Sequence, residues 1–214
     1  MTLTAKAQTI HTQLEEGKAN LGDLRKIAKH IKKDHALAKE LWSSKTFMAR
    51  MLSILIMDVK QLSDDDINAL FEDMTQHPEN ERLQLADWLM ANQLTKDKHT
   101  LALLNDWEKS ASALKRLIYW YHQGRLRWMG KIPEDNAQKL LAAIEATILT
   151  EAPEVQWAMN FTAGWIGVFD APYTKQCIQI GETTGLYKDE VVHKNCTPNY
   201  LPKFIAIEKA KRKL

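Results

Sequence analysis

The sequence predicts an all-α protein built of stacked helix pairs. Apolar residues recur at helical spacing in nearly every segment, whereas the strict alternation of a half-buried strand is almost absent. Short polar or proline-marked breaks separate these segments, as in antiparallel helical arrays. In residues 21–33, for example, Leu21, Leu24 and Ile31 share one face, and basic residues occupy much of the remainder. This pattern indicates a surface helix that packs through one side.

Capping residues mark where further helices begin in the first half of the chain. Asp34 ends the first segment and can cap a helix over residues 35–42. Ser63, with Asp66 three residues later, resembles a capping box for a helix over residues 67–74. The remaining apolar periodicity predicts helices over residues 47–57, 83–94, 101–107, 114–122, 155–168 and 173–182.

Glycines and prolines divide the second half of the chain. Gly124 and Gly130 flank residues 125–129 and predict a loop or short turn there. Proline fits the first turn of a helix, where its missing N–H is not needed. Helix starts are therefore predicted at Pro133, Pro153, Pro172 and Pro202. The whole pattern corresponds to about eleven or twelve helices joined by short loops.

The length of the chain bears on its domain organisation. At 214 residues it is long for one compact domain, but it suits a helical solenoid whose core grows along one axis. No repeat of fixed length is visible, which excludes a regular tetratricopeptide or ankyrin array and leaves HEAT-like repeats open. We therefore predict one elongated helical repeat domain over residues 1–214.

Composition limits the classes of partner and location. With 45% hydrophobic and 26% charged residues the chain has the composition of an ordinary folded protein. Its formal net charge is only +2, so a polyanion would have to bind a local basic patch. Cys177 and Cys196 form neither a disulfide framework nor a zinc motif, and we expect both to be reduced thiols in a cytoplasmic protein. Neither a signal peptide nor a membrane-spanning stretch is predicted.

Two sequence features involve aromatic residues beside ionisable ones. Most of the seven tryptophans are expected to pack between helices, because indoles bury a large apolar area. Asp87 adjoins Trp88 within the segment LADWL, where a carboxylate is costly unless it is paired or used. A hydrogen bond or an ion pair to a neighbouring helix is the alternative for Asp87. Gly164 and Gly167, in AGWIGV, lack the full spacing of a dinucleotide fingerprint and are interpreted as close helix-packing positions.

Basic residues form three groups along the chain. In residues 115–127 cations and aromatic rings interleave, a pattern that can contact phosphates and bases of nucleic acid. A second group lies in residues 25–33, and a third in residues 209–213. If the three groups line one side of a curved array, they form a basic concave groove. A solvated basic face over a packed aromatic stripe is the alternative.

Several motifs resemble the AlkD-like DNA alkylation repair family. The resemblance begins with LGDLRKIAK at residues 21–29 and returns with EVQWAMNF at residues 154–161. Further matching segments are residues 35–42, 49–56, 180–182, 185–187 and 196–198. The resemblance covers most of the chain. It implies a curved α-α superhelix of HEAT-like helix pairs around duplex DNA, with neither a cofactor nor a metal.

The resemblance also implies an activity and residues that perform it. Similar family members are glycosylases that hydrolyse the N-glycosidic bond of cationic alkylpurines, such as 3-methyladenine and 7-methylguanine, without base flipping. Asp87 then looks like the catalytic aspartate, Trp165 like a catalytic cleft tryptophan, and Arg116 like a phosphate contact. The family's second cleft tryptophan lies one turn before the aspartate, where this chain has Leu83. The other predicted DNA contacts are Lys115, Arg25, Lys29, Arg125, Arg127 and Trp88.

Three functions remain open from the sequence. The first is DNA alkylation repair as an alkylpurine DNA glycosylase. The second is non-catalytic binding of branched or distorted DNA on the same scaffold. The third is a helical-repeat scaffold for a protein partner, which applies if the basic helices point in different directions. For the first two, the predicted partner is damaged or distorted duplex DNA, bound by a monomer.

Overall fold

The computed structural model describes residues 3–17, 19–131, 133 and 135–214. These residues form twelve α-helices and several short 3-10 turns, and they include no β-strand. The prediction of an all-α protein is confirmed. The chain divides into two compact units, unit 1 (Met1–Asp106) and unit 2 (Trp107–Leu214). The single domain and the basic concave groove stay predictions.

Unit 1 contains seven helices within the described residues. Their bounds are α1 Ala5–Glu16, α2 Leu21–Ile31, α3 His35–Ser43, α4 Phe47–Ile56, α5 Asp64–Met74, α6 Glu79–Asn92 and α7 Lys98–Asn105. Two predicted caps are confirmed. Asp34 accepts a hydrogen bond from the backbone N–H of Leu37, and Ser63 and Asp66 form a reciprocal capping box. These caps satisfy backbone donors that the first helical turn leaves without an internal partner.

Helix α4 is the central helix of unit 1 and packs against α2, α3 and α6. Two polar residues on this apolar helix are buried with partners. Ser53 donates a hydrogen bond to the carbonyl oxygen of Ala38 over 2.7 Å. Arg50 lies over the ring of Trp42 and donates to the carbonyl oxygen of Asp73 over 2.8 Å. Polar groups buried in this way are tolerated because each has an acceptor.

Unit 2 is organised around α10. Its helices are α8 Ala113–Trp128, α9 Ala137–Thr147, α10 Pro153–Phe169, α11 Thr174–Thr184 and α12 Leu201–Arg212. Helix α10 packs along α8 and also contacts α9, α11 and α12. The packing role predicted for Gly164 and Gly167 is confirmed. A Cβ at Gly164 would lie 2.8 Å from the Phe204 ring, and one at Gly167 would lie 2.9 Å from the Cβ of Cys177.

Two predicted boundaries in unit 2 are wrong. Helix α8 continues through Gly124 to Trp128, where a loop or turn was expected. Packing explains the difference, because a Cβ at Gly124 would lie 2.7 Å from the Phe161 ring of α10. The glycine is there for close approach of α10, and it does not break the helix. Helix α9 begins at Ala137, and Pro133 precedes it.

Candidate nucleic-acid interface

The basic face of α2 is a cationic surface of unit 1. Arg25, Lys29, Lys32 and Lys33 are exposed and line one open pocket of about 390 Å³, together with Leu55. Lys32 and Lys33 follow the C-terminal end of the helix, where the helix dipole favours cations. We call these four side chains the α2 basic face.

Most of this positive charge is not neutralised within the protein. Lys33 forms a salt bridge to Asp58 over 3.0 Å. Arg25, Lys29 and Lys32 have no ion-pair partner within the described part of the chain. Three cations are therefore available to an external anion, and Leu55 adds an apolar contact beside them.

Arg25 is held in place by an aromatic ring. Its guanidinium carbon lies 4.7 Å from the centroid of the Trp88 ring on α6. Trp88 is only 7% exposed, and its indole N–H donates to the carbonyl oxygen of Met51 over 3.2 Å. A guanidinium stacked on a ring still directs its N–H groups outward in its own plane. Trp88 thus positions Arg25, while its direct contact with DNA stays a prediction.

Asp87 and Leu83 lie on α6 beside this arrangement. The side chain of Asp87 is half-buried, as is that of Leu83 one turn earlier. A ring at the position of Leu83 would share the face of Asp87, because residues four apart in a helix are neighbours. An aliphatic side chain at that position offers no π-electrons to a developing cation.

Trp165 on α10 is covered within unit 2. It is 4% exposed, and Phe169 stacks on it at 5.7 Å between ring centroids. Phe204 meets it edge-on at 5.2 Å, and the guanidinium carbon of Arg212 lies 4.6 Å from its centroid. Its indole N–H is buried without a hydrogen-bond partner among the described residues. The ring could reach a sugar only if Arg212 or the neighbouring rings moved.

Arg116 is engaged inside unit 2. Its Nε and Nη2 atoms donate to the carboxylate of Glu151 over 3.0 and 2.8 Å, and its Nη1 donates to the carbonyl oxygen of Ser110 over 2.7 Å. Both charged side chains are less than one-fifth exposed. This arrangement joins the start of α8 to the segment before α10. A phosphate contact by Arg116 stays a prediction and would require exchange of Glu151 for phosphate.

The other predicted contacts in unit 2 differ in accessibility. Arg127 is 4% exposed and donates to Asp170 over 2.7 Å, which indicates a structural role. Lys115 lies with its Nζ 5.4 Å from the Trp107 ring centroid. Arg125 is half-exposed and has no ion-pair partner among the described residues. Arg125 is therefore the cation of this group that is free to meet a ligand.

The family of the chain follows from comparison with known proteins. A family model described as DNA alkylation repair enzyme matches residues 18–165, which is more than half of the chain. The chain belongs to the DNA alkylation repair enzyme family. The resemblance expected from the sequence motifs is thereby confirmed. A comparison with curated protein sequences gives no significant match.

A solved structure adds to this assignment. It is described as a new family of proteins related to the HEAT-like repeat DNA glycosylases with affinity for branched DNA structures. The similarity has a TM-score of 0.66 at 20% identity and covers 99% of this chain and 90% of that chain. At this identity the likeness concerns the fold, and it confirms the predicted HEAT-like helical architecture for this member of the alkylation repair family.

The structure also reveals aromatic contacts that the sequence reasoning missed in this alkylation repair protein. Tyr121, Trp157 and Phe161 form one group of rings in unit 2, and Arg212 covers Trp165. The spacing of four residues between the aromatic positions of α10 was the available signal.

No helix of the described residues is long and apolar enough to cross a membrane, and these residues include no cluster of three metal-ligating side chains.

Proposed function

We propose that this member of the DNA alkylation repair family binds the phosphate backbone of branched or distorted DNA and releases no base. The observation that carries the proposal is the α2 basic face, where Arg25, Lys29 and Lys32 present cations without an internal partner among the described residues. Lysine and arginine contacts to phosphate supply most of the affinity of sequence-independent binding.

The preference for branched or distorted DNA is supported by the similar solved structure. That protein is described as having affinity for branched DNA structures, and its fold matches nearly the whole of this chain. The guanidinium of Arg25 over the Trp88 ring can bind two oxygens of one phosphate, because it is a planar fork of N–H donors. Lys29 and Lys32 add phosphate contacts that do not require the axis of the DNA helix to be straight.

The absence of base release is supported at the two positions where the family resemblance implies cleft tryptophans. Hydrolysis of an N-glycosidic bond develops positive charge on the sugar, which a carboxylate and electron-rich rings stabilise. In this chain Leu83 occupies one ring position, and the ring of Trp165 is already covered by Phe169 and Arg212. The positive charge of Arg212 over the Trp165 ring also repels the positive charge that would develop on a sugar there.

An alkylpurine DNA glycosylase is the second candidate. It is favoured by Asp87, which is half-buried on α6 next to Trp88, the ring under Arg25. In this reading Asp87 stabilises the oxocarbenium-like sugar of a 3-methyladenine or 7-methylguanine nucleotide, and the family resemblance implies Trp165 as a cleft ring. Water completes the hydrolysis. This activity requires displacement of Arg212 from the Trp165 ring.

Binding and base release are measured on matched substrates. Fluorescence anisotropy compares a four-way junction with a linear duplex of the same arm sequence, and chromatography follows 7-methylguanine released from a methylated duplex. We expect tighter binding of the junction and release at the spontaneous rate only. Release above that rate establishes the glycosylase instead. Absence of DNA binding at low salt contradicts both functions and favours a scaffold for a protein partner.

A double variant tests the surface that carries the proposal. Lys29→Ala with Lys32→Ala should reduce the slope of log affinity against log salt by about two, because two phosphate contacts are lost. The control is Lys45→Ala with Lys60→Ala, which removes two exposed lysines of unit 1 that do not line the pocket. If both double variants reduced this slope equally, DNA affinity would depend on the net charge of the protein and not on the α2 basic face.

A further inference from the structure

Helix α10 carries aromatic residues at every fourth position, Trp157, Phe161, Trp165 and Phe169. This spacing places all four rings along one side of the helix. Consecutive centroids lie 5.4, 6.0 and 5.7 Å apart, so the rings form a continuous ladder. Residues of α8 and α12 contact different parts of it.

The first part of the ladder joins a ring from α8. Tyr121 lies 5.6 Å from Trp157 and 5.1 Å from Phe161 between ring centroids, and the latter two are stacked at an interplanar angle of 22°. We call Tyr121, Trp157 and Phe161 the aromatic platform. All three belong to unit 2.

Close helix packing holds the platform in a fixed geometry. Gly124 leaves no room for a Cβ against the Phe161 ring, so α8 and α10 approach closely at this point. Thr162 donates a hydrogen bond from its hydroxyl to the carbonyl oxygen of Trp120, which sets the register of the two helices. Rings with so little freedom lose little entropy when a ligand stacks on them.

The rings of the ladder differ in exposure, and Phe169 at its end is 38% exposed. Trp165 is closed by Phe169, Phe204 and Arg212, as a ring that serves packing alone should be. The three platform rings are each only half-buried, although they adjoin one another. Adjacent rings with exposed surface are a common device for stacking unpaired bases, because every base has a π-face.

The charge beside the platform indicates which ligand fits it. Arg125 lies one turn after Tyr121 on α8, is half-exposed and has no ion-pair partner among the described residues. Exposed Trp128 lies two turns after Tyr121 along the same helix face. A cation next to aromatic surface matches a nucleotide, whose phosphate is anionic and whose base is flat.

We infer that the aromatic platform stacks an unpaired base of bound DNA, with Arg125 on an adjacent phosphate. This inference rests on the proposed function and specifies its substrate class as DNA with bases that have left the duplex stack. Branch points and lesions supply such bases, whereas a fully paired duplex does not. Stacking needs no sequence-specific contact, in agreement with binding through the phosphate backbone.

The test uses two DNA probes that differ in one unpaired nucleotide. One probe is a duplex with a single bulged 2-aminopurine, and the other is the fully paired duplex of the same sequence. Emission of 2-aminopurine falls when the base stacks on a ring. We expect the parent protein to bind the bulged probe more tightly and to quench its emission.

Substitutions at Trp157 separate stacking from packing. Trp157→Leu should weaken binding of the bulged probe roughly tenfold and abolish the quenching, with affinity for the paired duplex unchanged. Trp157→Phe keeps a ring and should retain most of the quenching. The control is Phe169→Leu, another exposed ring of the ladder, which lies within 5.9 Å of the Arg212 guanidinium and should bind as the parent does.

Three outcomes overturn the inference. If Trp157→Leu weakens both probes equally, the ring serves the fold, and a fall in melting temperature will accompany the loss. If neither affinity nor emission changes, the platform does not contact DNA, and binding through the α2 basic face still stands. If the parent binds neither probe, the stacking site fails, and the proposed function fails with it only when the four-way junction is not bound either.

Discussion

The guanidinium carbon of Arg25 lies 4.7 Å from the centroid of the Trp88 ring, which joins the α2 basic face to α6. Trp88 is itself fixed by its hydrogen bond to Met51 on α4. Contacts between α2, α4 and α6 thus fix the position of the Arg25 guanidinium. Asp87, the residue that the family resemblance implies as catalytic, is the chain neighbour of that ring.

Arg25→Ala is expected to reduce the salt slope of DNA binding by about one, because one phosphate contact is lost. The loss of an exposed cation–π contact should destabilise the fold by no more than about 1 kcal/mol. Anisotropy titrations between low and moderate salt, with a thermal melt, measure both effects. Lys26→Ala is the matched control, since Lys26 is already paired with Asp23. A slope that responds equally to both changes would refute a specific role of Arg25.

Arg116→Ala is expected to lower the melting temperature by several degrees and to leave the salt slope unchanged. The reason is the bidentate contact with Glu151, whose partly buried carboxylate would lose its partner at a cost of about 1–3 kcal/mol. Glu151→Ala should have a similar effect, and the double variant should be little worse than either single one. A slope reduced by one with an unchanged melt would instead support the phosphate contact implied by the family resemblance.

Asp87→Asn is expected to retain or improve DNA binding, because it removes a negative charge near a polyanion. Under the proposed function, the parent and the variant both release 7-methylguanine at the spontaneous rate. Chromatography of the free base measures this. Should the parent be active, the same substitution would reduce its rate by on the order of a hundredfold or more, and the glycosylase would be the correct function.

The stability of the fold should fall between pH 6.5 and 4 because of His122. Burial lowers the pKa of this histidine from 6.5 to about 4, and the positive charges of Arg125 and Lys131 add to the effect. Within this range the unfolded chain binds a proton at His122 that the folded chain does not, so acidification favours unfolding by up to about 3 kcal/mol. Thermal melts of His122→Leu should show a flatter pH profile, whereas the exposed His193→Ala should match the parent.

One thiol should react in the native protein and two after denaturation. Cys177 is fully buried, and burial raises the pKa of its thiol to about 12, so its reactive thiolate is scarce. Cys196 is exposed. Titration with a chromogenic disulfide reagent, before and after addition of guanidinium, counts the two classes. Cys196→Ser should abolish the native reaction, and a residual fast reaction would show that Cys177 becomes accessible by local opening.

Much of the helical architecture could be predicted because its signals are local. The caps at Asp34 and Ser63 lie within three residues of the N–H groups that they satisfy, so their meaning is visible in a short stretch of sequence. Gly124 was misinterpreted because its role depends on Phe161, which lies in another helix. Helix α1 was missed because only Ala7 and Leu14 are buried in it, which leaves a weak apolar stripe.

The candidate site was harder to predict because its side chains depend on distant partners. Arg116 looks like a surface cation until Glu151, 35 residues later, is placed against it. Arg127 and Asp170 are 43 residues apart. The spacing of charges on one helix shows which residues share a face, but it does not show which of them are neutralised by another helix. The cations of α2 that have no ion-pair partner among the described residues are therefore recognised only once the structure shows which other cations are paired.

The packing of nearby helices has a consequence for how the chain folds. Helix α3 packs on α4, α2 on α4, and α8 on α10, so the main helix pairs have at most one helix between the partners. Contacts between residues close in sequence require only short loops to close, which keeps the entropic barrier low and folding fast. Each unit can begin to fold from any of its helix pairs, and the described residues include no strand that depends on a partner distant in sequence.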